Sequence, residues 1–310
     1  MVDGKVSIVR SNSRIDGIQR CLSLIHDEIK TRIKRKVLIK PNFVSVYNPL
    51  CATHVDAVDA LINYLVSNFN ISEVIIAEAP ALGEFFKGIE NYGYTRLKNK
   101  YGNLEFIDLN ADELEYVEVY DRHGRPFKIR VAKTLLREDL FKVSICRPKT
   151  HDTVVVTLTI KNMAVGAPVK EDKPKIHQNY FFINLNIALL ARLTMPDLGV
   201  VDGLEGMEGA GPVSGTSRPW GSFFASVNPV HIDSIVAYCM GFNPYNIGYL
   251  YILSKWGYGE LDPRKIKTIS LSIEQVKVKF KPHPEYKIQL SWKAYLTKYI
   301  DLIQQLSKQH

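Results

Sequence analysis

The sequence predicts an α/β protein: a mainly parallel sheet with crossover helices and one inserted β-hairpin. Three observations predict it. Short apolar runs alternate with longer segments of helical periodicity through the first third of the chain, and parallel strands need such crossovers because a tight turn cannot join them. Segment 116–131 breaks the rhythm, alternating apolar and polar residues on both sides of Arg122-His123-Gly124-Arg125, as a hairpin does. Beyond it, apolar strands and helical segments resume.

In chain order, strand 5–10 precedes an amphipathic helix over 15–30, and Val37-Leu38-Ile39 is a short buried strand before a helix over 55–69. Strand 73–77, a helical stretch over 85–101 and strand 104–109 complete the first third. The hairpin insertion occupies 112–134. Strand 141–146 follows, then a helical region ending in the apolar stretch 180–193, strand 198–201 and a glycine-rich loop over 203–215. Strand 222–227, helices over 231–240 and 247–256, strand 266–273 and a helix over 292–306 close the chain. With no repeat or low-complexity linker, residues 1–310 read as a single α/β unit in which 261–310 is an extension, and a two-lobe division without a legible boundary is the alternative.

Composition narrows the function classes. Hydrophobic residues at 46% and charged residues at 23% are globular proportions, not disordered or fibrous ones. Cys21, Cys51, Cys146 and Cys239 are scattered, without the spacing of a zinc site, an iron–sulfur cluster or a disulfide framework. The first residues lack the basic start and apolar run of a signal peptide, and stretch 180–193, interrupted by Asn184 and Asn186, is too short for a bilayer span of roughly 20 apolar residues. A cytoplasmic protein without a membrane partner is the expectation. The net charge of +8 includes Arg32, Lys34, Arg35 and Lys36, and Lys277, Lys279 and Lys281 alternating with Val278 and Phe280 as on a half-exposed edge strand. A solvated basic face is favoured over a nucleic-acid groove, and such a face also attracts anionic metabolites.

Ligands of open parallel sheets bind beyond the strands' carboxyl ends, and there this chain turns polar. Lys40-Pro41-Asn42, Glu78, Arg147-Pro148-Lys149-Thr150-His151, Asp202 and Asn228 each follow an apolar strand. Two fixed cations and an imidazole within five residues repel one another unless an anion or carboxylate lies among them; Glu78 and Asp202 could supply the carboxylates. Thr157, Lys161 and Asn162 add a hydroxyl, a cation and an amide, and His177 follows a flexible-looking stretch over 170–175. The glycine-rich loop fits neither a P-loop nor a dinucleotide fingerprint. Gly209 and Gly211 would let backbone amides approach a ligand, and Asp202, Glu205 or Glu208 could serve as oxygen ligands; a tight turn without ligand is the alternative. A divalent metal could also be held by His151, His177 and a carboxylate such as Glu78.

Several of these motifs together resemble the uncharacterised family known as domain of unknown function 362, over most of the chain up to Gly259. They are Val37 to Asn42, Ala52-Thr53-His54, Pro148-Lys149-Thr150-His151, Thr157 to Met163, His177, Val201 to Pro212, Asn228-Pro229-Val230 with Asp233, and Met240-Gly241. Arg147 lies outside the shared pattern. Many members of that family carry a ferredoxin-like iron–sulfur module, whose cysteine runs are absent from this chain, so no iron–sulfur cluster is expected. The family is also similar in organisation to nickel-dependent lactate racemases, a likeness of fold that carries no residues across.

The expectation is an enzyme acting on a small anionic molecule in a strand-end cleft, with metal assistance an option. His151 is the candidate general acid/base, Lys40, Lys149 and Lys161 neutralise substrate charge, and Asn42 and Asn162 orient it. A non-catalytic anion or nucleotide binding module, and a nucleic-acid-binding protein acting through its basic surface, are the alternatives.

Overall fold

Each central strand presents one apolar side to either face of the sheet, and helices cover both. The computed structural model of the protein describes residues 4–308. β1 (Val6–Arg10), α1 (Arg14–Leu24) and α2 (His26–Lys30) come first. β2 (Lys36–Lys40), α3 (Val55–Asn68), β3 (Glu73–Glu78), α4 (Phe85–Asn91), α5 (Thr95–Lys100) and β4 (Leu104–Asp108) form crossover units. β5 (Leu114–Tyr120) and β6 (Pro126–Ala132) pair as a separate two-stranded hairpin. β7 (Phe141–Cys146), the short strands β8 (Lys149–His151) and β9 (Val155–Thr157), α6 (Thr159–Gly166) and α7 (Tyr180–Thr194) lead to β10 (Leu198–Glu208), β11 (Thr216–Ser226), α8 (Pro229–Cys239) and α9 (Gly248–Lys255). β12 (Thr268–Ser270), α10 (Ile273–Val276), α11 (Tyr286–Gln289) and α12 (Leu296–Ser307) end the described chain.

The main sheet runs β12-β1-β11-β10-β7-β2-β3-β4, with β11 antiparallel to both of its neighbours. Side chains alternate across it. Val37, Ile39, Val74, Ile76, Val143 and Ile145 pack with Ile18, Leu61 and Leu97 of the helices on one face. Leu38, Ile75, Ala77 and Cys146 pack on the other with Ile160, Phe182, Ile235 and Leu250. The inward side of the β5–β6 hairpin, Val117, Val119, Ile129 and Val131, joins this second core.

Several expected elements differ. The helix over 15–30 breaks at Ile25, which leaves helical geometry with φ −117° and ψ 22°. The stretch over 85–101 splits at Gly93, whose φ of +72° ends a helical turn as glycine readily does. Strand 266–273 shrinks to β12, because Ser270 turns to φ +78° and Ser272 caps α10. Lys277, Lys279 and Lys281 are not on a strand. Their alternation arises where Val278 and Phe280 donate their backbone N–H groups to the carbonyls of Cys239 and Met240 (2.8 and 2.9 Å), laying the segment across the end of α8. The glycine-rich loop expected over 203–215 is largely strand: β10 runs through it to Glu208 and the chain returns as β11.

Candidate functional site

Strand direction decides which polar ends meet. The carboxyl ends of β2, β3, β7 and β10 share one edge, but β11 is antiparallel, so Asn228 lies at the opposite edge, where it caps α8 through Val230 and His231. At the shared edge a cleft of about 220 Å³ opens, lined by Lys40, Asn42, Glu78, His151, Asp152, Thr157, Lys161, Asn162, Lys173 and His177, with Phe43, Val44, Ala79, Ala81, Val165, Gly166 and Pro212 as its apolar wall. A larger depression of about 490 Å³, around Tyr238, Tyr245 and Arg264, shares none of these residues.

The wall is built by mutual hydrogen bonding. Lys40 Nζ, at the end of β2, donates to Glu78 Oε2 (2.6 Å), Asn162 Oδ1 (3.2 Å) and the Pro41 carbonyl (3.3 Å), using all three of its hydrogens. Glu78 also accepts from the backbone N–H groups of Phe43 (3.2 Å) and Ala79 (2.8 Å). Asn162 Nδ2 donates to the Lys40 carbonyl and Ser144 Oγ (3.1 and 3.0 Å), and its Oδ1 accepts from Asn42 Nδ2 (3.0 Å). α6, which carries Lys161 and Asn162, begins on a buried carboxylate: Asp233 of α8 accepts from Thr159 N (2.9 Å), Thr159 Oγ1 (2.6 Å) and Ile160 N (3.0 Å). That satisfies two N-terminal amides that would otherwise be orphaned. Gly166, at the end of α6, lies against Lys40; a Cβ there would sit 1.9 Å from Lys40 Cε.

Four lysines are buried here, and they are not equivalent. Lys149 sits behind the cleft, its Nζ donating to Asn42 Oδ1 and to the Cys51 carbonyl (2.8 Å). Lys173 donates to the carbonyls of Val165 (3.0 Å) and Pro168 (2.6 Å). Lys161 is 7% exposed, yet among the described residues its ammonium has no hydrogen bond or ion pair. A buried cation without acceptors is costly. Burial, and then the neighbouring Lys149 and Lys40 cations, push Lys161 down to about 7, with Asp152 pulling the other way. Burial likewise lowers Lys173 to about 7 and Lys149 to about 8. Thr157, 2% exposed, has an Oγ1 with no partner.

His151 lies on β8, which pairs with β9 as a tight hairpin. Its Nδ1 lies 3.1 Å from the backbone N–H of Thr153, 3.0 Å from Thr153 Oγ1 and 2.9 Å from Asp152 Oδ1; the Thr153 N–H is a fixed donor, so we assign the ring proton to Nε2. Thr153 Oγ1 is then free to donate to Asp152 Oδ1 (3.2 Å). Burial and the Lys161 cation push the His151 imidazole down to about 3, so the expected general acid/base is a neutral hydrogen-bond partner near pH 7. Val155, the first residue of β9 and the partner of His151 across the hairpin, is forced to φ +71°, a conformation that β-branched residues avoid. Gln289 holds it there: Val155 N–H donates to Gln289 Oε1 (2.8 Å), and Gln289 Nε2 donates to the His151 carbonyl (2.8 Å).

The expected metal set does not assemble. Glu78 is committed to Lys40 and two backbone amides. Asp202 does not line the cleft; it is committed to Arg14 Nε at 2.7 Å. Glu205 accepts from Arg147 and Ser217. His177 stands exposed at the cleft mouth. Among the described residues no group of three or more His, Cys, Asp or Glu side chains is arranged to hold a metal ion. Gly209 and Gly211 do not face the cleft as backbone donors. The Gly209 N–H donates to the Lys281 carbonyl (2.8 Å), and Gly211 packs against Thr150, where a Cβ would lie 2.3 Å from the carbonyl oxygen. Only Pro212 of that segment reaches the cleft. Lys173, Asp152 and Gln289 escaped the sequence reading. Lys173 sits in a charged, flexible-looking run yet is itself buried at the start of a 3-10 turn, and Asp152 directly follows the singled-out His151.

The molecule is thus an α/β sandwich with a lysine-rich strand-end cleft. It belongs to the family described as a domain of unknown function (DUF362), whose model matches residues 37–238. A thylakoid-associated protein of Synechocystis is 26% identical over 223 residues, 68% of this chain and 65% of that protein. Among solved structures, the lactate racemase apoprotein of Thermoanaerobacterium thermosaccharolyticum aligns with a TM-score of 0.51 at 12% identity, over 77% of this chain and 58% of that one. A Thermotoga maritima structural-genomics target aligns with a TM-score of 0.45 at 10% identity, over 68% and 56%. The chain spans less than two thirds of each of these three proteins. The racemase likeness supports the α/β fold. Among the described residues no helix is long and apolar enough to cross a membrane.

Proposed function

We propose that the protein is an enzyme acting on a small anionic metabolite held in the Lys161 cleft. The observation that carries this reading is the set of polar groups without protein partners on one small cavity: the Lys161 ammonium and the His151 Nε2, which line it, and the buried, orphaned Thr157 Oγ1. Buried polar groups are ordinarily satisfied, and an anion would satisfy these together. Lys40, Lys161 and Lys173 line the cavity against Glu78 and the half-exposed Asp152, which gives it a positive bias. At about 220 Å³ it is smaller than the roughly 300–1,000 Å³ of sites for drug-sized ligands, which suits a compact carboxylate or phosphate.

Roles divide by hydrogen-bond commitment. Lys40 and Lys149 shape the wall and supply field, while Lys161 meets the ligand and titrates near neutrality, where an acid/base group works best. Thr157 and His151 orient the ligand. Four free, buried cysteines suit a reducing compartment, and the cytoplasm is the proposed location. The test is calorimetric binding of small carboxylates and phosphates, with turnover followed by NMR for each anion that binds. Saturable binding weakened in Thr157→Val supports the reading. Binding without turnover across the panel would instead identify a non-catalytic anion-binding module.

A further inference from the structure

The buried lysines separate into committed and uncommitted amines. Lys40 gives its hydrogens to three acceptors, and Lys149 and Lys173 to two each. Those acceptors engage the hydrogens of each amine and hold it against the wall, even where burial lowers it, as it lowers Lys173 to about 7. Lys161 has no acceptor among the described residues, lines the cavity and has like-charged lysines nearby, conditions that favour the neutral, nucleophilic amine. Beside it the cavity offers the Thr157 hydroxyl and the His151 Nε2–H, both without protein partners, as hydrogen-bond groups for an oxygen that changes charge.

We propose that Lys161 forms an imine with a small oxo-carboxylate, a compact anion that carries a ketone or aldehyde carbon beside its carboxylate. The inference rests on the reading of the cleft as an anion site and names its substrate class. In the step, the Lys161 lone pair attacks the carbonyl carbon, and the carbonyl oxygen takes up a proton to give a carbinolamine. The attacking nitrogen gives up one proton in that stage; the carbinolamine hydroxyl then takes a second proton from solvent and leaves as water while the nitrogen lone pair forms the double bond to carbon, so amine, carbonyl and one proton give an iminium and water. Carbon is neither oxidised nor reduced, and no co-reactant is needed. The cationic surroundings hold the carboxylate, and the iminium charge replaces the ammonium charge the cleft would otherwise carry.

The experiment incubates the protein at pH 7 with pyruvate, oxaloacetate or 2-oxoglutarate and sodium cyanoborohydride, then maps reductive labelling by peptide mass spectrometry. At that pH a lysine at about 7 is half neutral, against about one in three thousand for an ordinary exposed lysine. Labelling of Lys161 should therefore exceed that of exposed lysines by at least about ten-fold, and Lys161→Arg, which keeps the charge but lacks a nucleophilic amine, should lose it. Should that variant fail to fold, the distribution of label on the wild-type chain decides the matter alone. Calorimetric binding of the same acids separates the two failures. Oxo acids that bind without labelling Lys161 overturn the imine and leave the anion site standing; if no small anion binds at all, both fall.

Discussion

Lys161 is where function and stability pull apart. Its amine is lowered from 10.5 to about 7 in the folded protein, so between those values the unfolded chain binds more protons and stability rises with pH. The cost of holding it is greatest at and below neutrality. Lys161→Met should therefore stabilise the ligand-free protein at pH 7 by on the order of a few kcal/mol, seen as a higher Tm, while weakening anion binding. A variant that melts lower and binds normally would contradict this. Ligand affinity has the opposite pH sense. An anion prefers protonated Lys161, so its affinity should fall as pH rises through about 7. The titratable groups around it are Lys40, Lys149, Lys173, His151, His177, Asp152 and Glu78. Lys173 also titrates near 7, and the fall should become shallower in Lys161→Met.

At the scale of elements, two close approaches hold the site. Gly166 is the last residue of α6, and inside a helix alanine ordinarily gains about 1 kcal/mol over glycine, less at its end. Here the added Cβ would strike the aliphatic stem of Lys40, so Gly166→Ala should lose stability and displace the Lys40–Glu78 pair; a rise in Tm would refute the packing. Gln289 satisfies Val155 N–H and the His151 carbonyl from a distant part of the chain. Its replacement by alanine leaves two buried groups unmet, a cost of about 1–3 kcal/mol, and should loosen the hairpin that aims His151. Gln289 also marks the limit of sequence reading. The strands β2, β3 and β7 were legible from their apolar runs, as was the hairpin from its alternation, and Lys40, Asn42, Glu78, His151, Thr157, Lys161, Asn162 and His177 do meet at one cleft. Asp202 was misplaced because it is taken by Arg14, a residue of α1 that no local pattern links to it. Asn228 was misplaced because strand direction is not written in an apolar run. Gln289 carries no local signal at all, since its role arises only when the end of the chain folds back on β8.

For the whole molecule, the basic excess has two destinations. One is the buried lysine group; the other is a dispersed surface that includes Lys277, stacked 4.0 Å from the Tyr238 ring. Surface charge is screened by salt, and enclosed charge much less so. Raising ionic strength from about 0.05 to about 0.5 M should weaken small-anion binding by less than about three-fold, while any association with duplex DNA should collapse. Anion binding that vanished with the DNA signal would place the ligand on the outer surface and remove the cleft from the account.

The central claim is that the uncommitted amine of Lys161 receives an anionic ligand. Its most direct test is calorimetric titration of the wild-type protein and Lys161→Met with the same panel of small carboxylates and phosphates. The account predicts one-site binding to the wild type for at least one anion and a loss of about ten-fold or more in affinity on substitution, the worth of a charge-assisted hydrogen bond. Equal affinity in the two proteins would contradict it.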